Sequence, residues 1–256
     1  MKLHNLGLSM ATALLLAACG GGSGDNNNTP TDPQNPRNNT QQPGKNVSGT
    51  YQGNVFVVPV GKMPASLADA RATGSNDLTT LNANGKQIAL QIPNYYVSNM
   101  LSLRNANVNG KSYKLFIVSG SGFPNSKFGY INHENNDYVF SQGAYTTNMP
   151  TSGIVRYSGS AAIGRSAVGG TANSAFVANF GQKTLTGSIT PHSRSSEPFN
   201  PITINATING NAFSTANDAT VKSTGHFYGD NAHEVGGVFH DSSQALVGSF
   251  GAVRNN

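Results

Sequence analysis

His133 is the first candidate for ligand chemistry, because it is the only histidine between residues 50 and 148 and lies in a turn-like stretch. A neutral imidazole in such a position can ligate a haem iron, which makes His133 the predicted metal ligand. Phenol and thioether side chains of the same region are alternative iron ligands, and these are Tyr95, Tyr96, Tyr130, Met63 and Met100. A plain turn residue is the other interpretation of His133, and both stay open at this point.

Aromatic and methionine side chains near loops could also form a recognition surface in this half of the chain. Tyr95 and Tyr96 are adjacent, Met63 and Met100 lie in or near predicted loops, and Phe123 interrupts a run of Gly and Ser. Exposed aromatic side chains in loops often bind other proteins. Because the chain has no Trp, the same side chains could instead fill the core.

Catalytic motifs are missing from the sequence. The patterns G-x-S-x-G, G-x-G-x-x-G and the P-loop do not occur. Two His-Glu pairs begin an H-E-x-x-H pattern, but Asp137 and Gly237 stand where the second histidine would be needed. The carboxylates number eleven and are widely spaced. We therefore predict that the protein is not an enzyme.

Three histidines crowd together near the C-terminal end, at His226, His233 and His240. A surface metal site is one interpretation of this cluster. The other is that these residues are solvated or hydrogen-bonded positions on separate strands.

Strands must position nearly all of these residues, because helical periodicity is almost absent after Thr50. Ile202, Ile204 and Ile208 alternate with polar residues, which is typical of a strand with one buried face. Asn-Gly dipeptides at 84–85, 109–110 and 209–210 predict hairpin turns. One short helix is predicted, over 64–71.

Eight strand-like runs follow the predicted domain boundary near residue 150. They are 153–163, 171–180, 184–190, 201–208, 211–216, 219–228, 234–240 and 245–253. Short connections and small interior residues predict a closed barrel, and the lack of aromatic girdles argues against one that spans a membrane. The predicted fold is all-β, with a strand-rich N-terminal handle domain at 47–149, which would bind the ligand, and a soluble eight-stranded antiparallel β-barrel at 150–256.

The N-terminus predicts export and lipidation. Residues 1–18 have a basic start and an apolar stretch, and Leu16-Ala-Ala-Cys19 looks like a bacterial lipobox. Cys19 would carry the lipid and become the mature N-terminus, anchoring the protein to the outer membrane. Residues 19–46 contain no large apolar side chain, so we predict a disordered tether.

Composition excludes two other classes of function. The net charge is +5 and only 11% of residues are charged. No run of Lys and Arg forms a phosphate-binding stripe, so nucleic acid is not a predicted partner. A single Cys excludes an intrachain disulfide or a multi-cysteine zinc site.

The C-terminal sequence resembles the barrel ending of the transferrin-binding protein B type of Gram-negative surface lipoproteins. The motif is Phe227-Tyr-Gly229, then Ala232, Glu234 and the pair Gly236-Gly237. This wider group includes factor H-binding protein, the haemoglobin-haptoglobin utilisation lipoprotein and the haemophilins. The resemblance covers 1–46 and 150–256 well, whereas 50–148 shares only the general plan of a handle before a barrel.

The resemblance implies a cell-surface protein that binds a host ligand. Haem or a haem carrier such as haemoglobin, captured at the handle loops for iron acquisition, is the favoured ligand. A complement regulator of the factor H kind, or another host serum protein, is the alternative. The chain differs from transferrin-binding protein B in having one lobe and no disulfides. This difference weakens the expectation that the protein captures transferrin. The implied partners also include an outer-membrane translocon and a TonB-dependent receptor, and haem is a ligand rather than a covalent cofactor.

Overall fold

The computed structural model describes residues 49–192 and 197–256. The predicted leader, the lipidation site Cys19 and the tether lie outside these residues. The strands are β1 (Tyr51–Pro59), β2 (Arg71–Ser75), β3 (Thr80–Ala83), β4 (Lys86–Ala89), β5 (Met100–Val108), β6 (Lys111–Ser119), β7 (Ser126–His133), β8 (Asn136–Gly143), β9 (Ile154–Arg165), β10 (Val168–Asn179), β11 (Thr184–Pro191), β12 (Ile202–Asn209), β13 (Ala212–Thr215), β14 (Val221–Tyr228), β15 (Glu234–Asp241) and β16 (Leu246–Arg254). The chain is nearly all strand, and the predicted all-β fold class is confirmed.

The first eight strands form a handle made of two antiparallel sheets. Six strands pair in the order β2-β1-β8-β7-β6-β5, and β3 pairs with β4 in a separate hairpin. Asn84 and Gly85 both have positive φ in the β3–β4 turn, and so do Asn109 and Gly110 in the β5–β6 turn. Because two-residue hairpins of type I′ require this conformation, the Asn-Gly dipeptides at 84–85 and 109–110 turn the chain as the sequence predicts. The third turn lies one residue later than predicted, because Asn209 still pairs with Ala212 and the loop is formed by residues 210–211.

The last eight strands close into a barrel. Their order is β10-β11-β12-β13-β14-β15-β16-β9, so each strand pairs with its sequence neighbours and the first pairs with the last. All neighbouring strands run antiparallel. Closure leaves no unpaired edge strand, which removes a route to aggregation.

Aromatic rings fill the interior of the barrel. Phe250 stacks on Phe176 with the ring centroids 4.5 Å apart, and Phe213 lies 6.1 Å from Phe250. Gly187 makes room for this stack, since a Cβ there would lie 2.0 Å from the Phe176 ring. Side chains thereby fill the interior of this small barrel.

Helix is confined to short 3-10 turns in the described residues. Leu67–Asp69 forms one of them, inside the predicted helical stretch 64–71. Ser66 and Asp69 form a capping box, in which the Asp69 carboxylate accepts from the backbone N–H of Ser66. Across residues 49–192 and 197–256, no helix is long and apolar enough to cross a membrane.

The six-stranded sheet packs directly on the barrel wall. Phe56 and Ile117 of the sheet share a buried apolar cluster with Val238 and Val247 of the barrel. The sheet and the barrel belong to one compact unit. Burial of apolar surface on both sides stabilises the contact by about 25 cal/mol per Å².

Two buried carboxylates accept hydrogen bonds across the same interface. Glu234 of the barrel accepts hydrogen bonds from the Asn125 backbone N–H at 2.8 Å and from Ser126 Oγ at 2.5 Å, both in the handle. Asp137 of the handle accepts from Tyr130 Oη at 2.6 Å and from the Ala167 backbone N–H of the barrel at 3.2 Å. A buried charge is tolerated only when it is hydrogen-bonded, so these pairings fix the relative placement of sheet and barrel.

We expect Gly251→Ala to destabilise the fold at this interface. Phe128 of the sheet lies over Gly251 of β16, and a Cβ at Gly251 would be 2.2 Å from Phe128 Cε1. Overpacking of this kind costs roughly 1–3 kcal/mol, which corresponds to a melting temperature lower by about 2–4 °C per kcal/mol at this size. Thermal unfolding followed by circular dichroism measures the change.

Gly181→Ala is the matched control for this substitution. A Cβ at Gly181 would have its nearest neighbouring atom at 3.6 Å, an ordinary contact distance. Equal melting temperatures for the two variants would contradict the packing assigned to Gly251.

Candidate functional site

A loop with two exposed tyrosines connects the small hairpin to the six-stranded sheet. We call residues 92–99, between β4 and β5, the tyrosine loop. Tyr95 is 55% exposed and Tyr96 is 82% exposed, whereas most of the large apolar side chains described are buried. A turn lies at the start of the loop, where the Tyr95 N–H donates to the Ile92 carbonyl at 3.1 Å and Asn94 has φ +62°.

Backbone hydrogen bonds hold the other half of the tyrosine loop. The Ser121 N–H donates to the Val97 carbonyl at 2.9 Å, and the Gly122 N–H donates to the Ser98 carbonyl at 2.7 Å. Gly120 permits the close approach, because a Cβ there would lie 2.1 Å from the Val97 carbonyl oxygen. The Gly and Ser run around Phe123 therefore supports the tyrosine loop, a role that its sequence pattern alone does not indicate.

Lys127 lies beneath the same segment and ties it to β7. Its ammonium donates to the Ser119 carbonyl at 2.7 Å and to the Gly120 carbonyl at 2.9 Å. Burial lowers the pKa of Lys127, and the negative charge of Glu234 opposes that shift. The buried Glu234 carboxylate therefore offsets part of the cost of burying the Lys127 ammonium, which supports the loop.

The barrel also contacts the end of the tyrosine loop directly. Ser160 Oγ of β9 donates to Asn99 Oδ1 at 2.7 Å. Sheet and barrel thus both position this loop. Rigid, amphipathic tyrosines on a fixed loop suit protein recognition, because little side-chain entropy is lost when they are covered.

His133 lies at the other end of β7, beside a cavity between two hairpin tips. We call this space of about 340 Å³, lined by parts of 105–107, 112–114 and 132–135, the hairpin cavity. The His133 ring is buried against Tyr113, with the ring centroids 4.7 Å apart. Its Nδ1 is 2.9 Å from the Ser112 carbonyl, which can only accept, so Nδ1 carries a proton. Its Nε2 lies 3.3 Å from Glu134 Oε1.

The other predicted ligand-binding residues do not gather around His133. Met63 and Met100 are partly buried and pack against the cluster between sheet and barrel. Phe123 is buried against Phe128, with ring centroids 4.8 Å apart. Tyr130 is fully buried at the interface, where burial and Asp137 raise its pKa.

This placement corrects two sequence-based expectations, that Phe123 forms part of an exposed recognition surface and that Tyr130 is accessible as an alternative iron ligand. Both are core residues, because the sheet needs large side chains on the face that packs against the barrel. Tyr130 already donates its hydroxyl proton to Asp137. Only Tyr95 and Tyr96 of the predicted set present large exposed surfaces.

The three C-terminal histidines have separate environments. His226 stacks on Tyr145 with the ring centroids 4.2 Å apart, and burial lowers its pKa to about 4. His240 is buried in edge contact with Phe56, and His233 lies at the surface near Asn125. Within the described ranges, no group of three or more His, Cys, Asp or Glu residues could hold a metal ion.

Comparison with known proteins gives matches over both halves of the chain. The family model for the C-lobe and N-lobe beta barrels of Tf-binding protein B matches residues 149–254. An uncharacterized protein of Haemophilus influenzae strain Rd is 30% identical over 226 residues, which cover 79% of this chain and 75% of that protein.

Solved structures of transferrin-binding protein B share the fold. The isotype 1 protein from serogroup B Neisseria meningitidis is 21% identical with a TM-score of 0.56, covering 80% of this chain and 43% of that one. The Trp-176-Ala mutant from Haemophilus parasuis Hp5 is 22% identical with a TM-score of 0.54, covering 80% of this chain and 45% of that one. The chain thus spans less than half the length of these solved proteins.

We expect Gly120→Ala to loosen the tyrosine loop without unfolding the protein. The added methyl group would collide with the Val97 carbonyl and disturb the neighbouring bonds from Ser121 and Gly122. Because each bond contributes on the order of 1 kcal/mol, the two amides should exchange hydrogen several-fold to about tenfold faster. Hydrogen exchange resolved by NMR measures the rates, with Gly181→Ala as the control. Unchanged exchange would show that the loop does not depend on this support.

Proposed function

Because the chain belongs to the family of proteins built on the β-barrel of transferrin-binding protein B, we propose that it is a surface lipoprotein that binds a host protein through its tyrosine loop. The exposure of Tyr95 and Tyr96 on a loop fixed by the backbone carries this proposal. Aromatic side chains of this kind supply much of the binding energy at protein interfaces. The barrel serves as the support that holds the loop in place.

The host partner proposed here is a haem carrier. The matched structures are, by their names, transferrin-binding proteins, and binding of a serum protein is the property that this chain would share with them. Haem carriers are favoured because the sequence resembles the haem and haemoglobin acquirers of this group. A complement regulator is the alternative partner, and the same loop would bind it.

The membrane anchor is part of the same proposal. The lipobox ending in Cys19 supports lipidation, and the Asn-rich and Pro-rich residues after it support a tether between lipid and handle. An outer-membrane translocon would deliver the protein to the surface. A TonB-dependent receptor would take up what the protein captures.

Replacing Tyr95 and Tyr96 together with Ala should weaken capture of the host protein by at least about 2 kcal/mol, or roughly thirtyfold. The wild-type protein is first used to capture its partner from serum and from haemolysate, and the affinity of both forms for that partner is then measured by surface plasmon resonance. The two sources separate a complement regulator from a haem carrier.

Ile154→Ala is the control, because Ile154 is 65% exposed but lies on the barrel strand β9. This variant should bind like the wild type. Equal affinity of the wild type and the double tyrosine variant would rule out the tyrosine loop as the contact surface.

Direct haem ligation by His133 stays a prediction with its own test. The proton on Nδ1 favours it, since a metal-ligating histidine usually donates its other ring N–H to a carbonyl or carboxylate. If the prediction holds, hemin gives a shifted Soret band that His133→Ala abolishes. If the His133→Ala variant gives the same spectrum as the wild type, another residue ligates the iron. If hemin shifts no band even with the wild type, the protein obtains haem by capturing a carrier protein.

A further inference from the structure

Two histidines of the barrel wall lie at the contact with the handle. His226 of β14 and His240 of β15 each neighbour a phenylalanine of the barrel core, so the alternation of the strands turns both imidazoles outward. His240 is 2% exposed and meets the Phe56 ring of β1 edge-on, with the ring centroids 6.0 Å apart. His226 stacks on Tyr145, which lies in the segment that joins β8 to the barrel. The handle therefore covers both imidazoles.

Three ring nitrogens of these histidines are closed off from water and have no hydrogen-bond partner within residues 49–192 and 197–256. They are Nδ1 of His226 and both Nδ1 and Nε2 of His240. An imidazolium carries a positive charge and two N–H donors, so it costs far more than a neutral imidazole in such a place. The two carboxylates at the same contact, in comparison, accept hydrogen bonds from both sides. A proton on His226 or His240 would thus be poorly accommodated.

The charged groups near His240 do not supply the missing acceptors. Asp69, in the 3-10 turn, accepts from two backbone N–H groups of its own segment at 2.6 and 3.1 Å. Asp241 accepts from the turn between β15 and β16 at 2.6 to 2.9 Å. Lys222 is paired with His240 across β14 and β15 and disfavours a second positive charge there. The residues of β1 and β16 beside His240 are apolar.

The groups that face His226 are uncharged. Tyr145 covers one face of its ring, and the Tyr228 ring centroid lies 6.3 Å away. Burial raises the pKa of both phenols, so they stay neutral. The residues paired with His226 on the two neighbouring strands are Ala212 and Gly236. None of these four residues balances a positive charge on the imidazole.

Burial lowers the pKa of both imidazoles while the handle covers them. The pKa of His226 falls to about 4. Lys222 adds to the lowering of the His240 pKa, whereas Asp69 and Asp241 oppose it. In a form in which the contact is open to water, both rings would have the ordinary pKa of about 6.5. The open form then binds more protons, so acid favours it: the effect begins as the pH falls below about 6.5 and, for His226, is complete near pH 4.

We propose that the contact between handle and barrel is pH-sensitive, closed while His226 and His240 are neutral and opened when they take up protons. Opening separates the sheet from the barrel wall while the strands of each part stay paired. Each part keeps a core of its own, because one buried cluster fills the barrel and another lies between the six-stranded sheet and the β3–β4 hairpin. If the proposed function also holds, acid would separate the tyrosine loop from Ser160 of the barrel.

Hydrogen exchange of the full chain, resolved by NMR at pH 7.5 and pH 5, tests this proposal without any partner. The Asn125 and Ala167 amides donate across the contact. We expect their protection factors to fall at least about tenfold at pH 5, given the difference between the open and closed pKa of His226. The Ile208 amide, which donates to Lys183 within the barrel, should keep its protection.

A variant with both His226→Phe and His240→Phe should keep the protection of Asn125 and Ala167 at pH 5, because phenylalanine takes up no proton. His192→Phe is the matched control and should behave like the wild type. It also removes a histidine, but His192 follows β11, and among the described residues β11 adds none to the buried cluster shared by sheet and barrel.

Three results would overturn the proposal. The first is equal protection of the wild type at both pH values. The second is the same fall in the double variant, which would assign the effect to the carboxylates. The third is an equal fall at Ile208, which would mean that the whole chain unfolds. If the double variant does not fold, NMR titration of the wild-type rings decides: the proposal fails if His226 and His240 take up protons near pH 6.5 while the amides across the contact stay protected.

Discussion

The contact between the six-stranded sheet and the barrel is the constraint on which the rest of the structure depends. One carboxylate from each side is buried in it, Glu234 from the barrel and Asp137 from the handle, and each accepts hydrogen bonds from the opposite side. An unpaired buried charge costs several kcal/mol, and sliding the sheet along the barrel would separate Glu234 from Asn125 and Ser126 and remove the Ala167 N–H from Asp137. Apolar packing alone would stabilise the contact but would define its register less strictly.

A short chain of contacts connects this interface to the tyrosine loop at the surface. Glu234 accepts from Asn125 and Ser126, and the next residue, Lys127, donates to the backbone that supports the tyrosine loop. The position of the loop therefore depends on the barrel as well as on the sheet. Buried charged groups usually add little net stability, and the contribution of these hydrogen bonds is the fixed position of the loop above them.

The sequence predicts the architecture far better than the site, for physical reasons. Alternating apolar residues such as Ile202 and Ile204 and the Asn-Gly turns are local signals, and they place the strands and several hairpins. Which face of β7 meets the barrel is not a local property. For this reason the sequence places Tyr130 among the possible iron ligands although it is fully buried. The support of the tyrosine loop by Gly120 arises from contacts between segments distant in sequence, which no single-segment pattern contains.

The tyrosine loop is held mainly by its backbone carbonyls, at Val97, Ser98 and Asn99, which accept from the Gly and Ser segment 120–122. The side chains of Tyr95 and Tyr96 take no part in those bonds. The residues that fix the shape of the loop are thus different from the residues that it exposes at its tip. Substitutions at the tip can change the recognised surface while the fold stays the same. Related chains can consequently diversify this exposed face at little cost in stability.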